Sequence, residues 1–200
     1  MTRLLLATRN NGKLEELRRI LSSEITVLGL ADVPEFPELP ETGATFEENA
    51  LAKARYFAAM TGELALADDS GLCVDALAGA PGVRSRRFAA VDEARGERQD
   101  AANNRHLLAL LADVPDDRRT AHYVCSAAAA WLDGRETVHT GTCDGVILRE
   151  PRGTGGFGYD PLFYVADEGQ TFGELPPDRK NALSHRGKAV RALLQALAES

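Results

Sequence analysis

Four apolar residues, Leu64 to Ala67, run straight into two adjacent carboxylates, Asp68 and Asp69, which Ser70 and Gly71 follow. A short continuous apolar run of this kind reads as a buried strand. Carboxylates at its end are costly to take out of water unless a hard cation such as Mg²⁺ meets them. A solvated Asx-type turn, with Asp and Ser capping a following helix, is the alternative. The choice depends on whether other segments supply the rest of a site.

The rest of the chain alternates apolar runs with helical patterns. Leu4 to Ala7 reads as a strand, Thr8 to Gly12 as a loop, and Leu14, Leu17 and Leu21 as one face of a helix. Ile25 to Leu30 reads as a second strand. Pro34, Pro37 and Pro40 then keep the acidic stretch from Asp32 to Gly43 out of any regular helix. Thr45 and Glu48 form a capping box opening a helix with Phe46, Ala50, Ala54 and Phe57 on one face. A helix is expected over Glu97 to Ala112. Arg119 to Leu132 and Glu136 to Leu148 read as two strands joined by a type I′ turn at Asp133-Gly134, with Gly141 and Gly145 marking a bulge or bend. Leu162 to Val165 is a further strand and Arg186 to Ala198 the last helix, turning Val190, Leu193, Leu194 and Leu197 inward. The whole is a mixed α/β or α+β arrangement, expected as one domain over residues 1–200.

Composition narrows the function. With 200 residues, 44% of them hydrophobic, one substantial core can form. The formal charge of −7 and the lack of a basic face argue against an extended nucleic-acid surface. A phosphorylated small molecule needs only a local cationic pocket. Cys73, Cys125 and Cys143 have no disulfide or zinc spacing. The N-terminus is too short in apolar residues for a signal peptide and no window matches a membrane span, so the expectation is a soluble cytoplasmic protein.

Three further segments carry candidate chemistry. Thr8-Arg9-Asn10-Asn11-Gly12-Lys13 lies between a strand and a helix, where backbone N–H groups and the helix dipole favour phosphate and Lys13 adds a mobile cation. A P-loop is disfavoured, because Ala7 and Thr8 stand where its first glycine is needed and Leu14 replaces its Ser/Thr. Residues Gly153 to Gly158 satisfy Gly-x-Gly-x-x-Gly, but Tyr159-Asp160-Pro161 follows instead of the helix a dinucleotide site requires. That loop either offers Phe157 and Tyr159 to a base or simply turns the chain. Lys180 and Ser184-His185-Arg186-Gly187 gather titratable and cationic groups at the start of the last helix, where Arg186 opposes the helix dipole.

Taken in order, Thr8-x-Asn10-x-x-Lys13, Thr45-Phe46-x-x-Asn49-Ala50-x-x-Lys53-Ala54, Asp68-Asp69-Ser70-Gly71-Leu72, Gly79-x-Pro81-Gly82, Gly155 to Pro161 and Ser184-His185-Arg186-Gly187 make a chain that resembles, end to end, the inosine/xanthosine triphosphate pyrophosphatases of the RdgB type. The resemblance implies an elongated α/β fold, a mixed β-sheet flanked by helices, with two lobes and a central active-site cleft. It implies Mg²⁺-dependent hydrolysis of ITP, dITP and XTP to the monophosphate and pyrophosphate, cleansing the nucleotide pool, by a homodimer. Carried over by position, Thr8, Arg9, Asn10, Asn11, Gly12 and Lys13 would hold the triphosphate. Asp69 would be proton acceptor and metal ligand, and Ser70 would touch substrate. Phe157, Gly158, Tyr159, Asp160, Lys180, His185 and Arg186 would surround base and sugar. Glu41 is the choice for the second metal carboxylate, with Glu35 and Glu38 as alternatives in the same acidic loop. A pyrophosphatase of modified pyrimidine nucleotides and a non-catalytic nucleotide sensor are the competing functions.

Overall fold

The computed structural model describes residues 3–21, 25–37, 39–90 and 98–199; Glu38 and Glu97 lie outside them. Seven strands form one mixed sheet in the order β2-β1-β3-β4-β5-β6-β7, flanked by helices, which is the expected α/β class. The strands are β1 (Arg3–Leu6), β2 (Thr26–Gly29), β3 (Leu64–Val74), β4 (Thr120–Ala130), β5 (Glu136–Ile147), β6 (Phe163–Val165) and β7 (Gln170–Thr171). The helices are α1 (Asn11–Ile20), α2 (Phe46–Thr61), α3 (Gln99–Leu110), α4 (Pro177–Leu183) and α5 (His185–Ala198). β1 runs parallel to both β2 and β3, with Leu5 opposite Leu28 on one side and Ala65 on the other. β6 is antiparallel to β5 and β7. Among the described residues no helix is long and apolar enough to cross a membrane.

The chain packs as two compact units, Met1–Asp69 with Cys125–Thr142 and Asn181–Ser200, and Ser70–Val124 with Cys143–Lys180. In the first unit the period of two along a strand sorts the core into two layers. Leu4, Leu6, Leu66, Cys125, Ala127 and Ala129 pack with Leu17 of α1 and Ala189, Val190 and Leu193 of α5. Leu5, Ala65, Ala67, Ala128 and Ala130 pack with Ala50, Ala54, Phe57 and Ala58 of α2. Each leucine so buried contributes about 1.5–3 kcal/mol relative to exposure. The alanines on the α2 side let that helix lie close to the sheet. α2 starts as its sequence dictates: the Thr45 hydroxyl accepts from Glu48 N–H at 3.1 Å, and the Glu48 carboxylate accepts from Thr45 N–H at 3.3 Å.

The second unit is built around aromatic rings. Tyr123, Phe163 and Phe172 meet with centroids 4.6–5.7 Å apart. Arg119 is buried and staples the periphery, donating to the carbonyls of Leu111, Ile147 and Leu148 at 2.6–3.0 Å. All three cysteines are free. Burial, reinforced by Asp68, pushes the Cys125 thiol up to about 12, so it is an inert core residue.

Three local expectations change. β3 does not stop at Ala67 but continues through Asp68, Asp69, Ser70 and Gly71 to Val74, so the acidic tetrapeptide is strand and not turn. The hairpin turn is centred on Leu132-Asp133, with Gly134 N–H donating to the Trp131 carbonyl at 3.2 Å and Gly134 at φ +90°. Asp133 has no positive φ, so this is the three-residue loop with a terminal left-handed glycine, not a type I′ turn. Gly141 and Gly145 serve close approach. A Cβ at Gly141 would meet the His185 carbonyl and lie 2.7 Å from the Ala189 nitrogen of α5, and one at Gly145 would lie 2.6 Å from the Tyr164 carbonyl. Because backbone cannot yield as a side-chain tip can, Gly141→Ala should lower unfolding free energy by about 1–3 kcal/mol. Chemical denaturation measures it, and an unchanged midpoint would show that α5 has room to retreat.

Candidate active site

Alternation along β3 sends its two carboxylates to opposite faces of the first unit. Asp69 continues the Ala65 and Ala67 row and meets α2; Asp68 continues the Leu66 row and meets α1 and α5. The two clusters differ in composition and in electrostatics.

On the α2 side, Asn49 and Lys53 stand one helical turn apart, at the spacing that puts side chains on one face. Asn49 Nδ2 donates to Asp69 Oδ2 at 3.0 Å, while its Oδ1 accepts from Gly43 N–H at 2.8 Å. A Cβ at Gly43 would lie 2.7 Å from that oxygen, so glycine lets the acidic loop close on Asn49. The Lys53 ammonium sits 3.0 Å from Glu41 Oε1, 3.3 Å from Asp69 Oδ1 and 2.7 Å from the Asp68 carbonyl. Burial raises the Asp69 carboxyl above the ordinary aspartate range, opposed by Lys53 and Lys13 and helped by Glu41. Lys53 is pushed down by burial, but Asp69, Asp68 and Glu41 outweigh this and raise it. A cavity of about 240 Å³ adjoins the cluster, lined by Leu39, Pro40 and Ala52 as well as Glu41, Asn49 and Lys53.

On the other side, the Asp68 carboxylate meets Lys13 Nζ at 2.8 Å and Arg186 Nε at 3.2 Å, and Arg186 Nη1 is ion-paired with Glu16. Asp68 and Arg186 are each 2% exposed. Burial alone would raise Asp68, yet Lys13, Arg186 and Lys53 hold it well below the usual carboxylate range. Lys13 is therefore a pinned cation and not a mobile one. Its loop is ordered by local bonds: Thr8 Oγ1 accepts from Asn10 N–H at 3.2 Å, and Asn10 Oδ1 caps α1 by accepting from Lys13 N–H at 3.1 Å. Arg9 reaches away to the Phe36 carbonyl at 2.8 Å, and Asn11 and Gly12 form the first turn of α1. Ser184 caps α5 through Gly187 N–H at 3.1 Å, placing buried His185 and Arg186 in its first turn. Arg186 tolerates the unfavourable dipole because two carboxylates hold it.

In the second unit, Lys180 Nζ meets Asp160 Oδ2 at 2.5 Å, and both are nearly fully buried. The ammonium lies 4.9 Å from the centroid of Phe157 and 5.5 Å from that of Phe172. Phe157 N–H donates to Asp160 Oδ2 at 2.8 Å, and a Cβ at Gly156 would fall on that carboxylate, which explains the glycine. Tyr159 is buried, with its hydroxyl donating to the Ser85 carbonyl at 2.8 Å, so its ring is an anchor for the loop. Ser70, in β3, also belongs to this unit.

The sequence-predicted residues thus fall into three groups: Asp69 with Glu41, Lys13 with Arg186 and His185 nearby in α5, and Phe157 to Asp160 with Lys180. Glu35 forms no part of the Asp69 contacts described here. Sequence reasoning passed over Lys53, Asn49, Asp68 as a hub, and Glu16. The signal for the first two was the Asn49-x-x-x-Lys53 spacing; Glu16 looked like an ordinary polar position on α1. Among the described residues no three His, Cys, Asp or Glu side chains converge as a metal site. The all-oxygen pair of Glu41 and Asp69 nonetheless flanks a single cationic nitrogen, which is the donor chemistry a hard divalent ion takes when phosphate and water complete its shell.

Residues 4–196 match the model of the Ham1 family. The dITP/XTP pyrophosphatase of Geobacter sulfurreducens is 53% identical over 194 residues, covering 96% of this chain and 95% of that protein. The dITP/XTP pyrophosphatase of Nocardia farcinica is 56% identical over 203 residues, covering 99% and 96%. The solved structure of a HAM1 protein from Coxiella burnetii superposes with a TM-score of 0.86 at 41% identity, covering 100% of both chains.

Removing the Asp68 charge leaves Arg186 buried with one fewer counter-ion, and breaking such a pair costs about 3–5 kcal/mol. Asp68→Asn should lose stability of that order at neutral pH. The folded-state value of Asp68 is depressed, so its contribution is fully present above the ordinary aspartate value of 3.8 and fades as pH falls toward the lower folded value. Wild type and variant should converge in unfolding free energy only well below pH 4. A constant difference down to the acid limit would show that Asp68 acts by packing and not by charge.

Proposed function

This chain belongs to the Ham1 family, and from that membership we propose that Asp69, Glu41 and Lys53 form the centre at which it breaks its substrate. The enzyme is a hydrolase of deaminated purine nucleoside triphosphates, in keeping with relatives named dITP/XTP pyrophosphatases. The observation that carries the assignment of the centre is the Lys53 ammonium set between Asp69 and Glu41, at 3.3 and 3.0 Å.

Asp69 is the proton acceptor. Its raised carboxyl makes it a better base than an ordinary surface aspartate, and Asn49 fixes its orientation. Water attacks the α-phosphorus, its proton passes to Asp69, and the bond from that phosphorus to the bridging oxygen breaks to release pyrophosphate and the nucleoside monophosphate. Lys53 neutralises charge beside the reacting carboxylate. Asp69 and Glu41 would hold Mg²⁺, which when bound offsets charge on the phosphate oxygens. Thr8 to Lys13, at the N-terminus of α1, supports triphosphate binding through backbone N–H groups and the helix dipole. Asp68 pins Lys13 at the end of that loop.

Lys180 reads the base. Hypoxanthine and xanthine offer a 6-keto acceptor to its ammonium, whereas adenine offers an amino donor and leaves the ammonium mismatched. Asp160 holds Lys180 in place, and Phe157, within cation-π distance of the ammonium, supplies an apolar ring. Ser70 contacts substrate, and His185, Gly158 and Tyr159 belong to the same reading, the last through its backbone because its ring and hydroxyl are committed. Removing deaminated triphosphates keeps them from the polymerases that build DNA and RNA. A homodimer is part of this proposal, to be read from sedimentation of the purified chain.

Asp69→Asn keeps the shape and the Asn49 contact but removes the base, so pyrophosphate release from ITP, dITP or XTP should fall by about 10²–10⁴-fold with the fold retained. Near-normal release by the folded variant removes Asp69 from the chemistry. Lys180→Ala should narrow the ITP/ATP ratio in kcat/KM by at least about tenfold, since a stranded polar group is what enforces such discrimination. Parallel assays on both triphosphates decide this, and an unchanged ratio moves base reading elsewhere.

A further inference from the structure

Helix α3 presents a polar stripe at positions 100, 103 and 104, the i, i+3, i+4 spacing that lines one face. Two of these residues grip the peptide groups on either side of Gly158. Gly158 N–H donates to Asp100 Oδ2 at 2.8 Å, and Asn104 Nδ2 donates to the Gly158 carbonyl at 3.0 Å. The third steadies the neighbouring segment, with Asn103 Nδ2 donating to the carbonyls of Ser85 and Arg86 at 3.1 Å. Ser85 is also where the Tyr159 hydroxyl is anchored. Residues 157–160 are thereby fixed at every step: Phe157 by Asp160, Gly158 by α3, Tyr159 by Ser85 and Asp160 by Lys180.

Asn104 makes this arrangement at a cost. Its Oδ1 is buried with no hydrogen-bond partner among the described residues, the outcome folds ordinarily avoid. What the asparagine supplies in this arrangement is the donation to the Gly158 carbonyl. Gly158 sits at φ +62°, and the two α3 bonds hold its backbone on both sides.

We infer that Asp100 and Asn104 are positioning residues for base selection, holding the Gly158 peptide so that Phe157 and the Asp160–Lys180 pair keep the geometry that separates deaminated purines from adenine. This rests on the base-reading role given above to Phe157, Asp160 and Lys180.

The test uses Asp100→Ala and Asn104→Asp, the latter isosteric but unable to donate, with Asp100→Asn as the conservative variant that still accepts from Gly158 N–H. Loss of either bond should raise KM for ITP and lower the ITP/ATP ratio in kcat/KM by about fivefold, with kcat for ITP within about twofold, because one hydrogen bond is the quantity removed. Asp100→Asn should restore the ratio. Amide hydrogen exchange at Gly158 should speed up in Asp100→Ala. Lower melting temperatures with an unchanged ratio and KM would reduce the clamp to a structural role and overturn the inference. So would unchanged Gly158 exchange in Asp100→Ala. A wild-type protein that releases no pyrophosphate from ITP would instead sink the proposed function, while the exchange measurement still decides whether the clamp exists.

Discussion

The Asp68 carboxylate, taken out of water in the middle of β3, is the constraint from which the first unit is arranged. A buried carboxylate survives only if cations and donors replace its hydration. Here they come from three places in sequence: Lys13 at the start of α1, Arg186 at the start of α5, and the charge of Lys53 from α2. Arg186 is 118 positions from its partner, so satisfying one charge ties the C-terminal helix to the central strand. Glu16 then completes Arg186, so each buried ion has an opposite neighbour. Replacing the whole set with apolar side chains would be no less stable on general grounds. Its retention ties α1 and α5 to β3 and fixes the end of the Thr8 to Lys13 loop.

The neighbouring residue shows how one backbone period yields two environments. Asp68 and Asp69 are adjacent, yet Asp68 is driven below the ordinary aspartate range and Asp69 above it. Both are buried, so desolvation alone does not separate them. The difference is cation supply. Asp68 has Lys13 and Arg186 in direct ion pairs, whereas Asp69 shares Lys53 with Glu41 and otherwise has the neutral amide of Asn49. A strand carrying two carboxylates thus provides one anion that organises cations and one whose carboxyl is raised above the ordinary aspartate range. The second is the one to which the proposed chemistry gives the proton.

Much of this was legible before any coordinates. β1, α1, α2 with its capping box, the β4–β5 hairpin and α5 follow from local patterns: apolar period, caps and turn residues. What was not legible depended on partners far along the chain. Asp68-Asp69-Ser70-Gly71 reads locally as a turn, because acidic residues and glycine leave strands; Lys13, Lys53 and Arg186 override that preference by neutralising it. The hairpin tip was misplaced by one residue because Asp-Gly serves both a type I′ turn and the loop that ends in a left-handed glycine. Gly141 and Gly145 resembled bulge markers since close backbone approach leaves the same one-letter trace. The leucines of α3 were visible, but Asp100, Asn103 and Asn104 look like a solvated face until Gly158 and Ser85 are seen against them. The Thr8 to Lys13 loop and Lys180 stand out locally as phosphate-favouring and cationic segments, and their roles, like that of Asp69, follow from the family resemblance; Lys53 lies within one of its motifs, and only the ion pairs with Glu41 and Asp69 give it a role.

Charge balance in the first unit bears on why a divalent cation belongs to the proposed chemistry. Lys13, Lys53 and Arg186 face the carboxylates of Glu16, Glu41, Asp68 and Asp69, three cations against four anions when all are ionised. The cations are already committed to these carboxylates, so the cluster has no surplus positive charge to offer a triphosphate. Repulsion inside a buried site is not screened as it is at the surface. Phosphoryl transfer depends chiefly on positioning and on neutralising charge over the phosphate oxygens, and the paired side chains of this cluster carry one more negative charge than positive before substrate arrives. On the proposed function, the cation that tips the balance would come with the nucleotide, and Asp69 and Glu41, already flanking one positive charge, would receive it.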